Sequence, residues 1–494
     1  MICVSVTAKT ASELIEQMNA AREFADVIEV RFDSLASVDF ETLVPAFDEF
    51  RRGFPGKVLA TFRPANGGQG GFRELTREER SEFWRDAHML ADWCDIEADI
   101  DQVPQGFDKV IRSHHFFDRM PDGTEMNAVF DKLSASGCDA VKIAAQADDF
   151  VDSLPVWKLL SRTTTVKNVI AIAMGEAGKW TRIVGPAHGS LLTYAAPDRE
   201  STTAPGQITA NDLATVYRVS GRNRDTKIYG IIGGNTSYSM SPYIHNAAFT
   251  NGGFDSMFVP FQVADLDRFV NEFVRGTAGI DLRGLSVTIP HKVDVIKYLD
   301  DLDDSARKIG AVNTIRIDAG RMTGFNTDAD GFIKPLREHY PDLRGVSAAI
   351  FGAGGAARAC AYALVTAGAE LTVFARNAEK SRALAREFGC RAAMVASDDT
   401  FEIVVNATPL GTTGPHENES SVPDKVMRSA KLAYDLVYNP FETRFLKDAK
   451  AHGLKTLGGF EMLLAQAVRQ QEIWTGVTPD EGTMREAALA KLSR

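Results

Sequence analysis

The sequence predicts an α/β protein: a closed (β/α)8 TIM barrel, then two open α/β units, the last of which binds a nucleotide. Three observations carry this. Short β-branched runs alternate with helix-compatible segments eight times in the first half, over about 220 residues, the usual size of such a barrel. A polar, basic stretch, GRNRDTK at 221–227, lacks apolar periodicity and is followed by a new strand. A glycine-rich loop at 352–355 stands between a strand and a small-residue helix. The 494 residues also suggest about three units at roughly 150 residues each.

The eight barrel strands are expected at 2–8, 27–32, 57–63, 93–98, 109–115, 140–145, 168–174 and 191–196. TASELIEQMNAAREF and LTREERSEFWRDAHML read as connecting helices, and QITANDLATVYRVS as a closing one. Beyond the boundary, strands are expected in IYGIIG, GLSVTIP, NTIRI, SAAIFGAGG, ELTVFAR, EIVVNATP and LAYDLVY, which divides the chain into 1–222, 227–335 and 336–494.

Composition narrows the function. Fifty-five basic against 66 acidic side chains give −11, so there is no broad electrostatic footprint for nucleic acid, and an anionic small molecule needs only local arginines. No stretch approaches the roughly 20 apolar residues of a membrane span, and the start, MICVSVTAKTASEL, lacks the pattern of a signal peptide. Five widely spaced cysteines without a C-x-x-C pair fit reduced thiols, so a cytoplasmic protein acting on small molecules is expected. Nothing in the sequence fixes an oligomeric state.

In AVKIAA, strand alternation turns Lys142 and Ala144 into the barrel and Val141 and Ile143 toward the helices. An isolated lysine there would be read as snorkelling to solvent. Its company argues otherwise: Glu29, Arg31, Arg63, His115 and Arg182 converge on the C-terminal rim, where barrel enzymes place their sites. Cations around a desolvated lysine favour the neutral amine, which attacks a carbonyl to form a Schiff base, with a histidine nearby to shuttle protons.

These residues lie in EVRFD (29–33), TFRP (61–64), DIE (95–97), SHHFF (113–117), VKIA (141–144), MGEAGKWTR (174–182) and APGQ (204–207), which together resemble the type I 3-dehydroquinate dehydratases. The resemblance implies that Lys142 forms the Schiff base and His115 transfers the proton. It further implies that Glu29, Arg31, Arg63, Arg182, Thr203 and Gln207 bind the carboxylate and hydroxyls of dehydroquinate, without a metal. Two departures stand out: Asn66 or Gln69 is found where the family carries a glutamate before a glycine pair, and Phe116 follows the catalytic histidine where aspartate is common.

In the second half, Ser241 is expected to cap a helix that begins at Pro242 and that Gly252 ends, with Ser239 two residues before it. Two hydroxyls beside a helix N-terminus suit a polyol carboxylate. Lys292 is expected at the start of a helix after a strand ending at Pro290, where the dipole favours a neutral amine. Asp328, on a turn-like segment, is its candidate partner. The loop at Gly352, Gly354 and Gly355 would admit a pyrophosphate, and Arg376, at the end of the second nucleotide-domain strand, suits the 2′-phosphate of NADP rather than the ribose of NAD.

SYSMSP (237–242), SVTIPHK (286–292), GAVNT (310–314), GFNTD (324–328), GAGGAAR (352–358), VNATPLG (405–411), DLVYNPFET (435–443) and GGFEMLLAQA (458–467) resemble shikimate dehydrogenase. That family implies a Rossmann NADP domain whose C-terminal helices return to the substrate domain. It implies substrate binding by Ser239, Ser241, Thr288, Asn313, Tyr438 and Gln466, acid–base work by Lys292 and Asp328, and cofactor contacts from Gly352, Ala353, Gly354, Gly355, Ala356, Arg376, Asn406 and Thr408. Tyr238 stands where the family has histidine, and Ala375-Arg376-Asn377 where it has Asn-Arg-Thr. The two activities share a metabolite, 3-dehydroshikimate, so the expectation is a bifunctional enzyme. A quinate dehydrogenase and a ligand-sensing regulatory protein are the alternatives; the absence of a basic helix-turn-helix segment weighs against the second.

Overall fold

A computed structural model describes residues 1–66, 70–100, 103–163, 167–198, 200, 206–276, 278–393 and 400–492. The chain forms two compact units, one of residues 1–228, 235–239 and 255–282, the other of 229–234, 240–254 and 283–494.

In the first unit, β1 (Ile2–Val6), β2 (Val27–Arg31), β3 (Lys57–Thr61), β4 (Trp93–Glu97), β5 (Lys109–Phe116), β6 (Ala140–Gln146) and β7 (Asn168–Met174) pair in parallel in chain order, and β8 (Thr193–Ala196) pairs with β1. The ring closes through a single bridge, Val169 opposite Ser190, with the Leu191 amide donating to the Val169 carbonyl at 2.9 Å. The expected alternation holds. Val27, Leu59, Trp93, Ile111, Ala140, Ala144, Ile170, Ile172 and Tyr194 form one apolar cluster on the Lys142 side of the strands. Thr10 and Thr76 head the helices Ala11–Ala21 and Arg77–Asp86 with capping boxes closed by Glu13 and Glu79. QITANDLATVYRVS departs from the expected helix. Its start pairs with β8 as β9 (Ile208–Thr209), and a π-helical turn, Asp212–Val216, ends before Arg218, whose φ of 52° breaks the spiral.

One open sheet has the order β11 (Ser256–Gln262), β10 (Lys227–Gly233), β12 (Leu282–Val287), β14 (Thr314–Asp318), β15 (Arg321–Phe325), β13 (Asp301–Leu302). β11 escapes a sequence reading because Pro260 interrupts it; proline is tolerated there because the strand lies at the sheet edge. β14 and β15 form a hairpin whose two turn residues, Ala319 and Gly320, both have positive φ.

The last sheet is wholly parallel: β16 (Ser347–Phe351), β17 (Glu370–Phe374), β18 (Arg391–Ala392), β19 (Ile403–Asn406), β20 (Leu432–Asp435) and β21 (Lys455–Leu457), in the order β18-β17-β16-β19-β20-β21. This is the doubly wound Rossmann order, which places its binding crevice beyond the end of β16. Among the described residues no helix is long and apolar enough to cross a membrane.

Candidate active sites

β6 carries Lys142 into the barrel at 4% exposure. The sequence reading surrounds this amine with cations, but the structure sets a carboxylate against it: Nζ donates to Asp95 Oδ2 at 2.7 Å and lies 3.8 Å from the centre of the Tyr194 ring. Burial alone would raise the Asp95 carboxyl, but Lys142 and Arg63, 3.7 Å away, outweigh it and hold the group below its ordinary value. Arg63 lies two residues past the end of β3. It donates to Glu97 Oε1 at 2.7 Å and to His115 Nε2 at 3.2 Å. A guanidinium has only donors, so Nε2 accepts and a neutral imidazole carries its proton on Nδ1. Desolvation, then Arg63 and Lys142, push His115 well below the usual histidine range, so the ring is neutral at pH 7. Its outer face stacks on Phe117 at 5.4 Å.

Around this centre, Glu29 accepts from Ser5 Oγ at 2.5 Å and Thr61 Oγ1 at 2.8 Å. Arg31 forks onto Asp33 at 3.0 and 2.8 Å and donates to the Gly70 carbonyl. Arg182 sits on the short helix Lys179–Val184, which the fully buried Trp180 anchors against Phe150 and Trp157. Arg182 is 3% exposed, and among the described residues no carboxylate pairs with it; burial pushes it down to about 10. An unneutralised buried guanidinium is a ready donor to an anionic ligand. Gln207 is half-buried beside Gly206, and Thr203 and Gln69 lie outside the described residues. Asn66 is exposed and clasps the Leu75 backbone in both directions, so it braces its loop.

The sequence reading gives no role to Asp95, Glu97, Ser5 or Thr61. Their signal is parity: 95 and 97 share the parity of the inward Trp93, so both carboxylates enter the lumen and are paired there.

In the second unit, Lys292 Nζ donates to Asp328 Oδ2 at 2.5 Å, and Asn313 Nδ2 donates to Asp328 Oδ1 at 2.8 Å. The expected helix-dipole effect on Lys292 does not arise. β12 stops at Val287, and Lys292 lies in the turn before a 3-10 helix, Asp294–Tyr298. Asp328 is the first residue of the helix Asp328–His339, where its charge meets the positive end of the dipole and its amide donates to Asn326 Oδ1. Ser241 is likewise the first residue of its helix, Ser241–Asn251, and not the cap; Met240 precedes it, and Gly252 ends the helix as expected. Ser241 and Gln466 are buried, Thr288 and Tyr438 half-buried. Gln466 Oε1 accepts from Thr327 Oγ1 at 3.5 Å. Ser239 is buried, falls in a stretch belonging to the first unit, and its amide donates to the Thr236 carbonyl.

After β16 the chain turns at Gly352, whose φ is 132° and where a Cβ would lie 2.6 Å from the Ala407 carbonyl oxygen, so only glycine fits. Gly354 caps the helix Gly355–Thr366 with no side-chain bond, and a Cβ there would meet nothing within 4 Å. Open space before uncapped amides fits a pyrophosphate. At Gly355 a Cβ would lie 3.2 Å from Lys292 Cδ, so the glycine segment adjoins the Lys292–Asp328 pair. Arg376 is exposed just beyond β17. Ala353 is half-buried in the loop and Ala356 half-buried in the first turn of the helix. Asn406, expected to touch the cofactor, is fully buried. Its amide is spent on Asp435 Oδ1, the Leu410 carbonyl, Thr408 and Ser421, so it shapes the loop that carries the half-buried Thr408.

The comparisons agree with both halves. The type I 3-dehydroquinase model matches residues 2–224, the shikimate dehydrogenase substrate-binding domain 231–315, and the shikimate 5'-dehydrogenase C-terminal domain 459–489. The model for NADP oxidoreductase, coenzyme F420-dependent, matches 347–416. The chain is 32% identical to the bifunctional 3-dehydroquinate dehydratase/shikimate dehydrogenase, chloroplastic, of Arabidopsis thaliana, over 97% of this chain and 82% of that protein. It is 41% identical to shikimate dehydrogenase (NADP(+)) of Carboxydothermus hydrogenoformans over 54% of this chain and 97% of that one. A crystal structure of a shikimate dehydrogenase in complex with NADP+ is 37% identical, with a TM-score of 0.52, over 55% of this chain and 98% of that chain. With this relative matched over 97% of the chain and 82% of its own length, the chain belongs to the family of bifunctional 3-dehydroquinate dehydratase/shikimate dehydrogenases.

Proposed function

We propose that the protein dehydrates 3-dehydroquinate to 3-dehydroshikimate in the barrel and reduces that ketone to shikimate, with NADPH, in the second half. The divisions 1–222, 227–335 and 336–494 serve as dehydratase, substrate and cofactor domains. The observation that carries the reading is that each half sets a lysine on a buried carboxylate, Lys142 on Asp95 and Lys292 on Asp328, within a different set of family motifs.

In the barrel, Lys142 attacks the substrate ketone and loses water to form an imine, handing its surplus proton to Asp95. His115, held neutral, takes the proton next to the imine carbon. The resulting enamine expels the hydroxyl, which His115 protonates as it leaves, and hydrolysis frees the lysine. Arg182 holds the substrate carboxylate, with Glu29, Arg31, Arg63, Thr203 and Gln207 on the remaining oxygens. In the second half, NADPH, when bound, supplies the hydride. The Gly352–Ala356 loop would hold its pyrophosphate and Arg376 its 2′-phosphate, with Thr408 lining the same crevice. Lys292 gives the proton to the carbonyl oxygen, and Asp328 aims that lysine, while Ser239, Ser241, Thr288, Asn313, Tyr438 and Gln466 hold the hydroxyls and carboxylate. Five free cysteines support a reducing compartment, the cytoplasm.

Borohydride added with 3-dehydroquinate should fix one substrate-derived adduct on the peptide containing Lys142, read by mass spectrometry; an unmodified Lys142 peptide would sink the Schiff-base reading. Replacing Arg182 by alanine removes a charged hydrogen bond and should raise KM for dehydroquinate on the order of 10- to 100-fold, more than it lowers kcat. An unchanged KM would take the carboxylate away from Arg182.

A further inference from the structure

Behind the Lys292–Asp328 pair, the second unit buries four polar side chains that the reaction does not use: His245, Ser286, Thr314 and Gln470. Their bonds can be assigned by elimination. The Asn313 carbonyl only accepts, so the Gln470 atom 3.2 Å from it is Nε2, and that nitrogen also donates to Thr314 Oγ1 at 2.9 Å. Gln470 Oε1 therefore accepts from Ser286 Oγ at 3.0 Å and from His245 Nε2 at 3.2 Å. Burial pushes His245 down to about 3, so its ring is neutral; with Nε2 donating, Nδ1 accepts from Gln471 Nε2 at 3.1 Å.

Thr314 Oγ1, receiving from Gln470, donates its own proton to Asn313 Oδ1 at 2.8 Å, where the Thr327 amide also donates at 2.8 Å. Asn313 Nδ2 is thereby turned onto Asp328 Oδ1, leaving Oδ2 for Lys292. Gln470 lies on the helix Gly459–Thr475, which meets the Asp328 helix closely: a Cβ on Gly331 would be 2.7 Å from Gln466 Cβ.

We propose that Gln470 and Thr314 are positioning residues for the ketone reduction: they fix the Asn313 amide that holds Asp328 for Lys292. The proposal rests on the reading of Lys292 and Asp328 as the acid–base pair. It predicts a loss in turnover without a matching loss in binding, because neither residue is asked to touch substrate.

The test uses the full chain and follows NADPH-dependent reduction of 3-dehydroshikimate by the Thr314→Val, Thr314→Ser and Gln470→Leu variants, with NADP+ affinity as the check that the second unit is folded. Valine and leucine should each lower kcat about 10-fold, with KM changed by less than about threefold, because a buried amide loses a bond that orients it. Serine should restore most of the rate. A folded Thr314→Val variant at full kcat, a serine variant as slow as valine, or a loss confined to KM would overturn the proposal. If valine does not bind NADP+, the Gln470→Leu result decides by the same criteria. Failure of the wild-type chain to reduce 3-dehydroshikimate would instead overturn the functional reading beneath it.

Discussion

Replacing Lys142 by alanine should slow dehydration of 3-dehydroquinate by about 10^4-fold or more, the scale on which a covalent nucleophile is missed. Reduction of added 3-dehydroshikimate should stay within about twofold of wild type, because the second site shares no residue with the first. Among the described residues around this site no other group can take the lysine's place. His115 and Arg63 hold donors and a lone pair but no amine that forms an imine, and borohydride trapping should vanish with the rate. The substitution also strands Asp95, which is fully buried and, among the described residues, keeps only the more distant Arg63 as counter-charge. Breaking a buried pair in this way costs about 3–5 kcal/mol. The Lys142→Ala, Asp95→Asn double variant removes the stranded charge and so separates a catalytic loss from a folding loss. Recovery of stability without recovery of rate is the expected pattern; dehydration at a tenth of wild type or better in the single variant would contradict the assignment.

Replacing Lys292 by alanine should lower kcat for reduction by about 10^2- to 10^4-fold, the usual range for a positioned acid, with KM moved far less. Asp328→Asn should fall in the same range, because its Oδ2 would no longer present a charge to the ammonium at 2.5 Å. The two losses should not add, since each removes the same pair, and the double variant should be about as slow as the worse single one. Steady-state rates with each substrate varied in turn would show this. A rise in KM at unchanged kcat would make Lys292 a binding residue.

The barrel was legible because period-two alternation and regular spacing turn Glu29, Arg31, His115 and Lys142 inward without knowledge of the loops. Arg63 and Arg182 lie beyond strand ends, and the family motifs drew them in. Their partners were harder to see. The pairing of Lys142 with Asp95 is 47 residues long in sequence, and nothing local in DIE distinguishes a catalytic carboxylate from an ion-pair layer. Local capping rules also misled where a glycine or proline offers a second solution: Ser241 is one residue inside its helix, and Lys292 lies in a turn with no helix dipole behind it. The resemblance gives Asn406 a cofactor contact, yet its buried amide is spent on Asp435 and the chain around it. Gln470 gave no sequence signal of its own, since its meaning comes from four partners as many as 225 residues away from it in the chain.

The most direct test of two working halves in one chain is to mix the full protein with 3-dehydroquinate and NADPH, follow NADPH oxidation and identify the product by mass spectrometry. Shikimate formed in step with NADPH consumed is the expected result. Oxidation only when 3-dehydroshikimate is supplied, or quinate as the product, would contradict it.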